Sequence, residues 1–180
     1  MASNLGQVAV RAEFRRGDPR GITRGIFYAR YILWALSLSL ITLFVLLGTG
    51  FTLSEIFITI VFNLTWVLLL LFGAIVPSQY KWGYYVLAVF SIFWVVFHIG
   101  VLATRSSFLI YRRTHLCSAL WITFFWLEYP LIWAFCDGGN VISNTGEVIW
   151  YGVVDLLTMP LFLVWQLWSV RLYDYTALGF

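Results

Sequence analysis

Charged residues are scarce in this sequence of 180 residues: they make up 11% of it, whereas a soluble domain carries roughly 25%. Hydrophobic residues make up 62%, and the mean hydropathy is +0.89. Such a composition suits a lipid bilayer, because a protein surrounded by lipid needs no polar outer surface. It excludes a soluble domain, and 180 residues leave no room for a soluble catalytic domain beside a membrane bundle.

Cysteine and lysine are also rare. The two cysteines are Cys117 and Cys136, which on one helix would lie about 28 Å apart, too far for a disulfide. The one lysine is Lys81, which we place in a loop. The sequence contains no nucleophile–base pair and no cluster of metal ligands, so we expect neither enzyme activity nor a metal site. Nucleic-acid binding is not expected either, because no folded module accompanies the basic N-terminal residues.

Five apolar stretches are long enough to cross a bilayer as helices, for which about 20 residues are needed. They cover residues 26–47, 52–76, 82–103, 116–136 and 148–170. The sequence therefore predicts an all-α integral membrane protein with a single bundle over residues 26–170. Residues 1–25 are predicted to form a polar, basic tail without a signal peptide, and residues 171–180 a short C-terminal tail. Residues 104–115 are the longest polar loop expected between the spans.

Four ionisable residues fall inside these apolar stretches, where charge is costly and marks a candidate functional group. They are Arg30, His98, Glu128 and Asp155. Arg30 is the expected cation for Asp155 if the first and fifth spans adjoin; the alternative is a neutral, hydrogen-bonded aspartic acid. We interpret His98 as a polar packing residue and Glu147 as an interfacial group.

The fourth span carries an aromatic face. Trp126, Tyr129 and Trp133 are spaced three and four residues apart, which places them on one side of a helix. Pro130 lacks a backbone donor and is expected to kink the helix beside them. An aromatic face next to a kink is a candidate wall of a ligand site, but spacing alone favours ordinary helix packing.

Three motifs, in order, resemble the microbial rhodopsin family. YARYILW at 28–34 resembles the start of its third helix, WLEYPLIW at 126–133 its sixth helix, and GEVIWYGVVDLLTMPL at 146–161 its seventh. The resemblance implies a bundle like the last five helices of the seven-helix fold, without a counterpart of the first two. It also implies that retinal-pocket positions are occupied by Arg30, Tyr31, Trp34, Trp126, Tyr129, Pro130, Trp133 and Asp155. Glu147 would match a glutamate of the family's extracellular proton-release group.

The sequence departs from the family where the photochemistry takes place. Met159 stands at the position of the lysine that forms the retinal Schiff base, and a Schiff base requires a primary amine. Leu33 stands at the position of the primary counter-ion, and Phe44 at about that of the cytoplasmic proton donor. We therefore expect no covalent retinal and no other cofactor. The chain resembles the opsin-related proteins of fungi that keep the scaffold and lack the lysine.

This resemblance implies an opsin-like, multi-pass protein of the plasma membrane that is stress-related or membrane-modulating and is not a light-driven pump. One alternative is a passive ion or proton pathway through Arg30, Glu147 and Asp155; another is a truncated, non-functional product. The expected partner is the lipid bilayer. Because the family's first two helices would cover Arg30 and Asp155, we also expect a homo-oligomer formed through that face.

Two arguments about orientation disagree. Lys and Arg number six on the N-terminal side of the bundle and four on the other, which by the positive-inside rule favours a cytoplasmic N-terminus. The resemblance instead places the start of the first span outside and residues 104–115 inside. We follow the resemblance, because the difference in charge is small.

Overall fold

The structure, a computed structural model, describes residues 6–12 and 23–171. Within these residues, five helical stretches are long and apolar enough to cross a membrane. They are Tyr28–Leu47, Leu53–Ile75, Lys81–Ser106, Tyr111–Gly138 and Asn144–Val170. A helix satisfies its backbone hydrogen bonds internally, which is what a segment in lipid requires. The predicted all-α membrane bundle is confirmed.

Several of these stretches consist of more than one helix. The first two are single helices, α1 (Tyr28–Leu47) and α2 (Leu53–Ile75). The third joins α3 (Lys81–Phe97) through a π-helical turn (His98–Leu102) to α4 (Ala103–Ser106). The fourth joins α5 (Leu109–Trp133) to a π-helical turn (Ala134–Gly138). The fifth joins α6 (Asn144–Leu156) through a π-helical turn (Leu157–Leu161) to α7 (Phe162–Val170).

The bundle has two chemically different ends. One, called the hairpin end below, carries the starts of α1, α3 and α6; there the Lys81 ammonium donates to the Gly138 carbonyl at 2.6 Å. The other, called the arginine end, carries the exposed residues Arg105, Arg112, Arg113 and Arg171. Helices approach closely there: a Cβ added to Gly50 would lie 2.7 Å from the Ser106 carbonyl oxygen. Only glycine fits that turn.

Two short strands form a β-hairpin pair at the hairpin end. Strand β1 (Val8–Arg11) pairs antiparallel with β2 (Thr23–Ile26). Side chains alternate along a strand, so Arg24 and Ile26 both turn inward, 4% and 2% exposed. The polar tail predicted over residues 1–25 is therefore wrong where β1 and β2 form. Residues 1–5 and 13–22 of that tail, and residues 172–180 of the predicted C-terminal tail, lie outside the described residues.

The predicted loop at 104–115 is also wrong, because α5 begins at Leu109 and leaves two residues between helices. Helical periodicity turns Tyr111 and His115 inward, 3% and 0% exposed, while Arg112 and Arg113 point outward. Charge had suggested a loop, but the arginines simply occupy the outer face of a helix end. Lys81 was likewise placed in a loop and is instead the first residue of α3, 5% exposed.

Candidate functional site

A cluster of ion pairs lies where β2 meets the first turns of α1 and α6. Arg24 Nη2 donates to Glu147 Oε2 at 2.5 Å, and Arg30 Nη1 donates to the other carboxylate oxygen at 2.6 Å. Arg24 Nε lies 3.4 Å from Asp137 Oδ1, and the Tyr31 hydroxyl donates to Asp137 Oδ2 at 2.8 Å. Both carboxylate side chains are 1% exposed. The two arginines therefore supply the compensation that buried carboxylates require.

Arg24 ties together three segments of the chain. Besides its contacts with the two carboxylates, it donates to the Asn140 side-chain oxygen at 2.8 Å and to the Ile142 carbonyl at 2.9 Å. Burial disfavours its charged form, but the hydrogen bond to Glu147 and the charges of Asp137 and Glu147 outweigh burial. The pKa of Arg24 consequently lies above its ordinary value. This residue was not recognised from the sequence, because it was assigned to the tail.

Glu147 is the acidic partner of Arg30, so the predicted Arg30–Asp155 pair is wrong. α1 and α6 start at the same end of the bundle, and Arg30 and Glu147 both lie in their first turns. Asp155 follows eight residues after Glu147, about 12 Å deeper along the helix. The interface expected around an Arg30–Asp155 pair loses its basis. Glu147 lies near a helix end, as predicted, but its side chain is paired inside the protein and is 1% exposed.

Asp155 is held by neutral donors near the middle of the bundle. Its Oδ1 accepts from Trp34 Nε1 at 2.9 Å and from the Tyr129 hydroxyl at 2.8 Å. The Tyr129 hydroxyl also lies 2.8 Å from Thr158 Oγ1. Three residues that the resemblance assigns to retinal-pocket positions, on three helices, thus meet in one hydrogen-bonded group, which agrees with the hydrogen-bonded alternative considered for Asp155.

Five aromatic rings form one cluster at the centre of the bundle. The ring of Trp34 lies 4.7 Å from that of Tyr129 and 4.9 Å from that of Tyr151, measured between centroids. Trp66 of α2 lies 6.0 Å from Tyr129 and 6.5 Å from Trp126. All five rings are fully buried. Such edge-to-face and tilted contacts contribute about 0.5–1.5 kcal/mol per pair beyond burial, so the cluster stabilises the centre of the bundle.

The other sequence-predicted positions lie at different depths. Trp133 is fully buried, stacks on Tyr85 at 5.2 Å and donates to the Leu70 carbonyl at 3.0 Å. Pro130 is buried inside α5. Leu33 faces outward at 48% exposure. Met159 lies in the π-helical turn between α6 and α7 and lines a groove on the outside of the bundle.

A second polar group near the arginine end escaped the sequence analysis. Ser118 donates to Gln166 Oε1 at 2.5 Å, and Gln166 Nε2 donates to the Tyr111 hydroxyl at 2.9 Å. Gln166 is fully buried. Candidate groups were predicted from ionisable residues inside the spans, whereas these three side chains are uncharged. The available signal was the spacing of Tyr111 and Ser118, seven residues apart on α5; Gln166 lies on α7. In residues 6–12 and 23–171, no three His, Cys, Asp or Glu side chains are grouped to hold a metal ion.

Curated relatives of this chain are fungal. It is 43% identical over 182 residues to Protein FDD123 of Trametes versicolor, covering 99% of this chain and 63% of that protein. It is 35% identical to the opsin-like protein carO of Fusarium fujikuroi, with 99% and 60% covered. The 30 kDa heat shock protein of Saccharomyces cerevisiae is 34% identical, with 94% and 56% covered. The chain thus spans between 56% and 63% of the length of these relatives.

Solved structures of similar fold are microbial rhodopsins. A light-driven proton pump from Leptosphaeria maculans superposes with a TM-score of 0.83 at 29% identity, covering 93% of this chain and 73% of the pump. The proton pump of Coccomyxa subellipsoidea gives a TM-score of 0.80 at 26% identity, with 87% and 68% covered. No known family profile matches the sequence.

Proposed function

Because this chain belongs to the microbial rhodopsin family, as an opsin-like membrane protein, we propose that it carries no covalently bound retinal and has a stress-related or membrane-modulating role rather than that of a light-driven pump. The residue at the position of the retinal lysine carries this proposal. That residue is Met159, whose thioether cannot form a Schiff base. The single lysine of the sequence, Lys81, lies at the hairpin end with its ammonium bonded to the Gly138 carbonyl.

The packing of the aromatic cluster supports the same proposal. The resemblance implies that Trp34, Trp126 and Tyr129 of this cluster stand at positions that line the retinal pocket in the family. Here Trp34, Tyr129 and Tyr151 contact one another directly, and Trp34 and Tyr129 satisfy Asp155. Protein side chains thus satisfy one another at the centre of the bundle. The scaffold can therefore remain stable without a ligand at its centre.

A role in stress is supported by similarity to a fungal protein named for heat shock, which is 34% identical to this chain. The resemblance to the opsin-related proteins of fungi, some of which are associated with the plasma membrane, also favours that location for this chain. Deleting the gene in the organism that encodes it should lower survival after a heat challenge, and an intact copy should restore survival. Equal survival of the deleted and intact strains would reject the stress role.

The proposed absence of covalent retinal is tested by incubating the purified full chain with all-trans retinal. We expect no red-shifted absorbance and no adduct after borohydride reduction. Met159→Lys is the matched control, because it supplies an amine at the family position. An adduct in this variant and none in the unchanged chain would attribute the loss to residue 159. An adduct on the unchanged chain, at Lys81, would refute the proposal.

A passive proton pathway is the second candidate. Such a pathway is favoured by the order of three polar groups from the hairpin end to the arginine end: the ion-pair cluster, the Asp155 group and the Gln166 group. Phe162, fully buried, lies between Thr158 and Gln166, and an apolar barrier of this kind interrupts a chain of hydrogen bonds. We therefore expect vesicles containing the protein to leak protons no faster than empty ones. A pH-sensitive dye trapped inside them measures this.

A further inference from the structure

A histidine with one unused ring nitrogen is buried between α5 and the π-helical turn of the third helical stretch. The His115 side chain is 0% exposed. Its Nε2 lies 3.0 Å from the Ile99 carbonyl oxygen, and a carbonyl can only accept, so Nε2 carries the proton. Nδ1 is then the acceptor of the neutral imidazole, and it is buried without a hydrogen-bond partner among the described residues. A basic nitrogen in this position is a candidate site of proton uptake.

The π-helical turn supplies the acceptor for His115. In a regular α-helix the Ala103 amide would donate to the Ile99 carbonyl, four residues back. It donates instead to the His98 carbonyl, five residues back, and the Ile99 carbonyl accepts from His115. π-helical turns are frequent at functional sites. The irregular turn therefore orients the imidazole and fastens α5 to the third helical stretch.

The helices around His115 offer it no negative charge on α4, α5 or α7 in the part of the chain that the structure describes. Tyr111, one turn earlier on α5, lies 5.9 Å from it between ring centroids. The other titratable or charged side chains on these helices near this end are exposed: Arg105, Arg112, Arg113, Cys117 and Arg171. The arginines carry the sign of charge that protonation would add.

The two remaining ionisable residues of this end are engaged elsewhere. His98, on the π-helical turn, faces α2, where its Nδ1 lies 3.3 Å from Thr59 Oγ1. Glu55, near the start of α2, accepts hydrogen bonds from the backbone and the hydroxyl of Thr52. Among the described residues, no carboxylate forms an ion pair with His115. A proton on His115 would therefore add an uncompensated charge to the interior.

Protonation is costly only while the site stays closed. Both nitrogens of an imidazolium are donors, so Nδ1–H would have no acceptor, and a buried charge without a partner is strongly disfavoured. His115 lies six residues after Leu109, about 9 Å along α5 from its first residue. Water at the end of the helix can therefore reach the imidazole once α5 moves away from the third helical stretch. Acid favours that opened form.

We propose that His115 is a proton-operated switch, in which uptake of a proton by Nδ1 separates α5 from the π-helical turn and admits water to the arginine end. The movement also acts on α7, because the hydroxyl of Tyr111, one turn from His115, accepts from Gln166. The opened form binds one more proton than the closed form, so the closed form loses stability as the pH falls. The switch needs no retinal and works in either orientation of the chain.

Hydrogen–deuterium exchange of the full chain in phosphatidylcholine nanodiscs tests the switch. A hydrated imidazole takes up a proton with a pKa of about 6.5, so the equilibrium constant for opening should rise about ten-fold between pH 7.5 and pH 5.5. Peptides that cover residues 99–106 and 109–118 should exchange about ten-fold faster at the lower pH, after correction for the intrinsic effect of pH on amide exchange. Exchange that is equally fast at both pH values would overturn the proposal.

The two histidines of the sequence provide a matched pair of variants. His115→Gln keeps a donor for the Ile99 carbonyl but cannot titrate, so it should abolish the acceleration in these peptides. His98→Gln, at a half-buried position of the same end, should retain it. An equal acceleration in His115→Gln and in the unchanged chain would overturn the proposal, and so would its loss in His98→Gln alone.

Nitrogen-15 spectra of the two imidazoles give a second measurement, which does not require that His115→Gln folds. His98→Gln assigns the signals, because it removes one of the two. The His115 imidazole should change from neutral to charged over the pH range in which exchange accelerates. An imidazole that stays neutral while exchange accelerates, or becomes charged without faster exchange, would show that His115 does not operate the opening.

Discussion

Arg30 and Glu147 form an ion pair across 117 positions of sequence, with 2.6 Å between guanidinium Nη1 and carboxylate Oε1. The pair fastens the first turn of α1 to the first turn of α6. Because Arg24 binds the second oxygen of the same carboxylate, one acid holds the β-hairpin, the first span and the fifth span together. The stability of the hairpin end should therefore depend on Glu147 more than on other acidic residues.

Replacing Glu147 tests this dependence. Glu147→Gln keeps the shape of the side chain but leaves two arginines without their shared carboxylate. It should lower the free energy of unfolding by about 3–5 kcal/mol, the cost of removing one partner from a buried pair. Thermal unfolding in mild detergent measures the change. Glu128→Gln, at a half-buried position on α5, is the control and should unfold close to the unchanged protein. Equal losses would contradict the central role of Glu147.

Asp155 should depend on its hydrogen-bond donors and not on Arg30. A double-mutant cycle with Asp155→Asn and Tyr129→Phe should give a coupling energy of about 0.5–3 kcal/mol, as contacting residues do. The same cycle between Asp155→Asn and Arg30→Gln should give a smaller value, because Arg30 is bonded to Glu147. Chemical unfolding of the four variants in each set supplies the energies. A larger coupling with Arg30 would restore the pairing expected from the sequence.

The uncharged group near the arginine end should also contribute to stability. Gln166→Leu removes a buried donor and acceptor and leaves the Ser118 and Tyr111 hydroxyls without their contacts to it. The expected loss is about 1–3 kcal/mol, read from the midpoint of unfolding. Ser169→Ala on the same helix removes only a bond to its own helix, at Trp165, and should have little effect. If Gln166→Leu were as mild, the network would not stabilise the bundle.

The arginine end should face the cytoplasm. Among the described residues, Arg24 and Lys81 at the hairpin end are buried and bonded to protein atoms, so they are not available to lipid headgroups. Of the exposed arginines in the described residues, Arg11 lies at the hairpin end and four lie at the opposite end, which agrees with the positive-inside rule for this orientation. A cysteine at position 113, in a Cys117→Ser background, should resist an impermeant maleimide in intact cells and react after permeabilisation. Reaction in intact cells would reverse the orientation.

The sequence was sufficient for features that depend on composition and helical period. Five spans follow from the apolar stretches, and the shared face of Trp126, Tyr129 and Trp133 follows from their spacing. All three are fully buried in the structure. These features depend on one helix and on the solvent around it. They can therefore be predicted without knowing which helices are neighbours.

Features that depend on depth and on contacts between distant segments could not be inferred in the same way. Arg30 has two acidic residues on the facing helix, and only the relative height of the two helices selects Glu147 over Asp155. Arg24 was assigned to a tail because a four-residue strand has little signal of its own and forms only against its partner strand. Gln166 was passed over because it carries no charge, although burial makes its hydrogen bonds important.

The 117 positions of sequence between Arg30 and Glu147 also delay their pairing while the chain is being synthesised. At roughly 5–20 residues per second, the acid emerges from the ribosome about 6–23 s after the arginine. During that interval α1 must hold a charged residue in the membrane without its partner. Its position in the first turn of α1, two residues after Tyr28, lets the guanidinium reach the headgroups in the meantime. An arginine in the middle of the span would face hydrocarbon for the whole interval. The order of synthesis therefore favours a position for this arginine near the membrane surface.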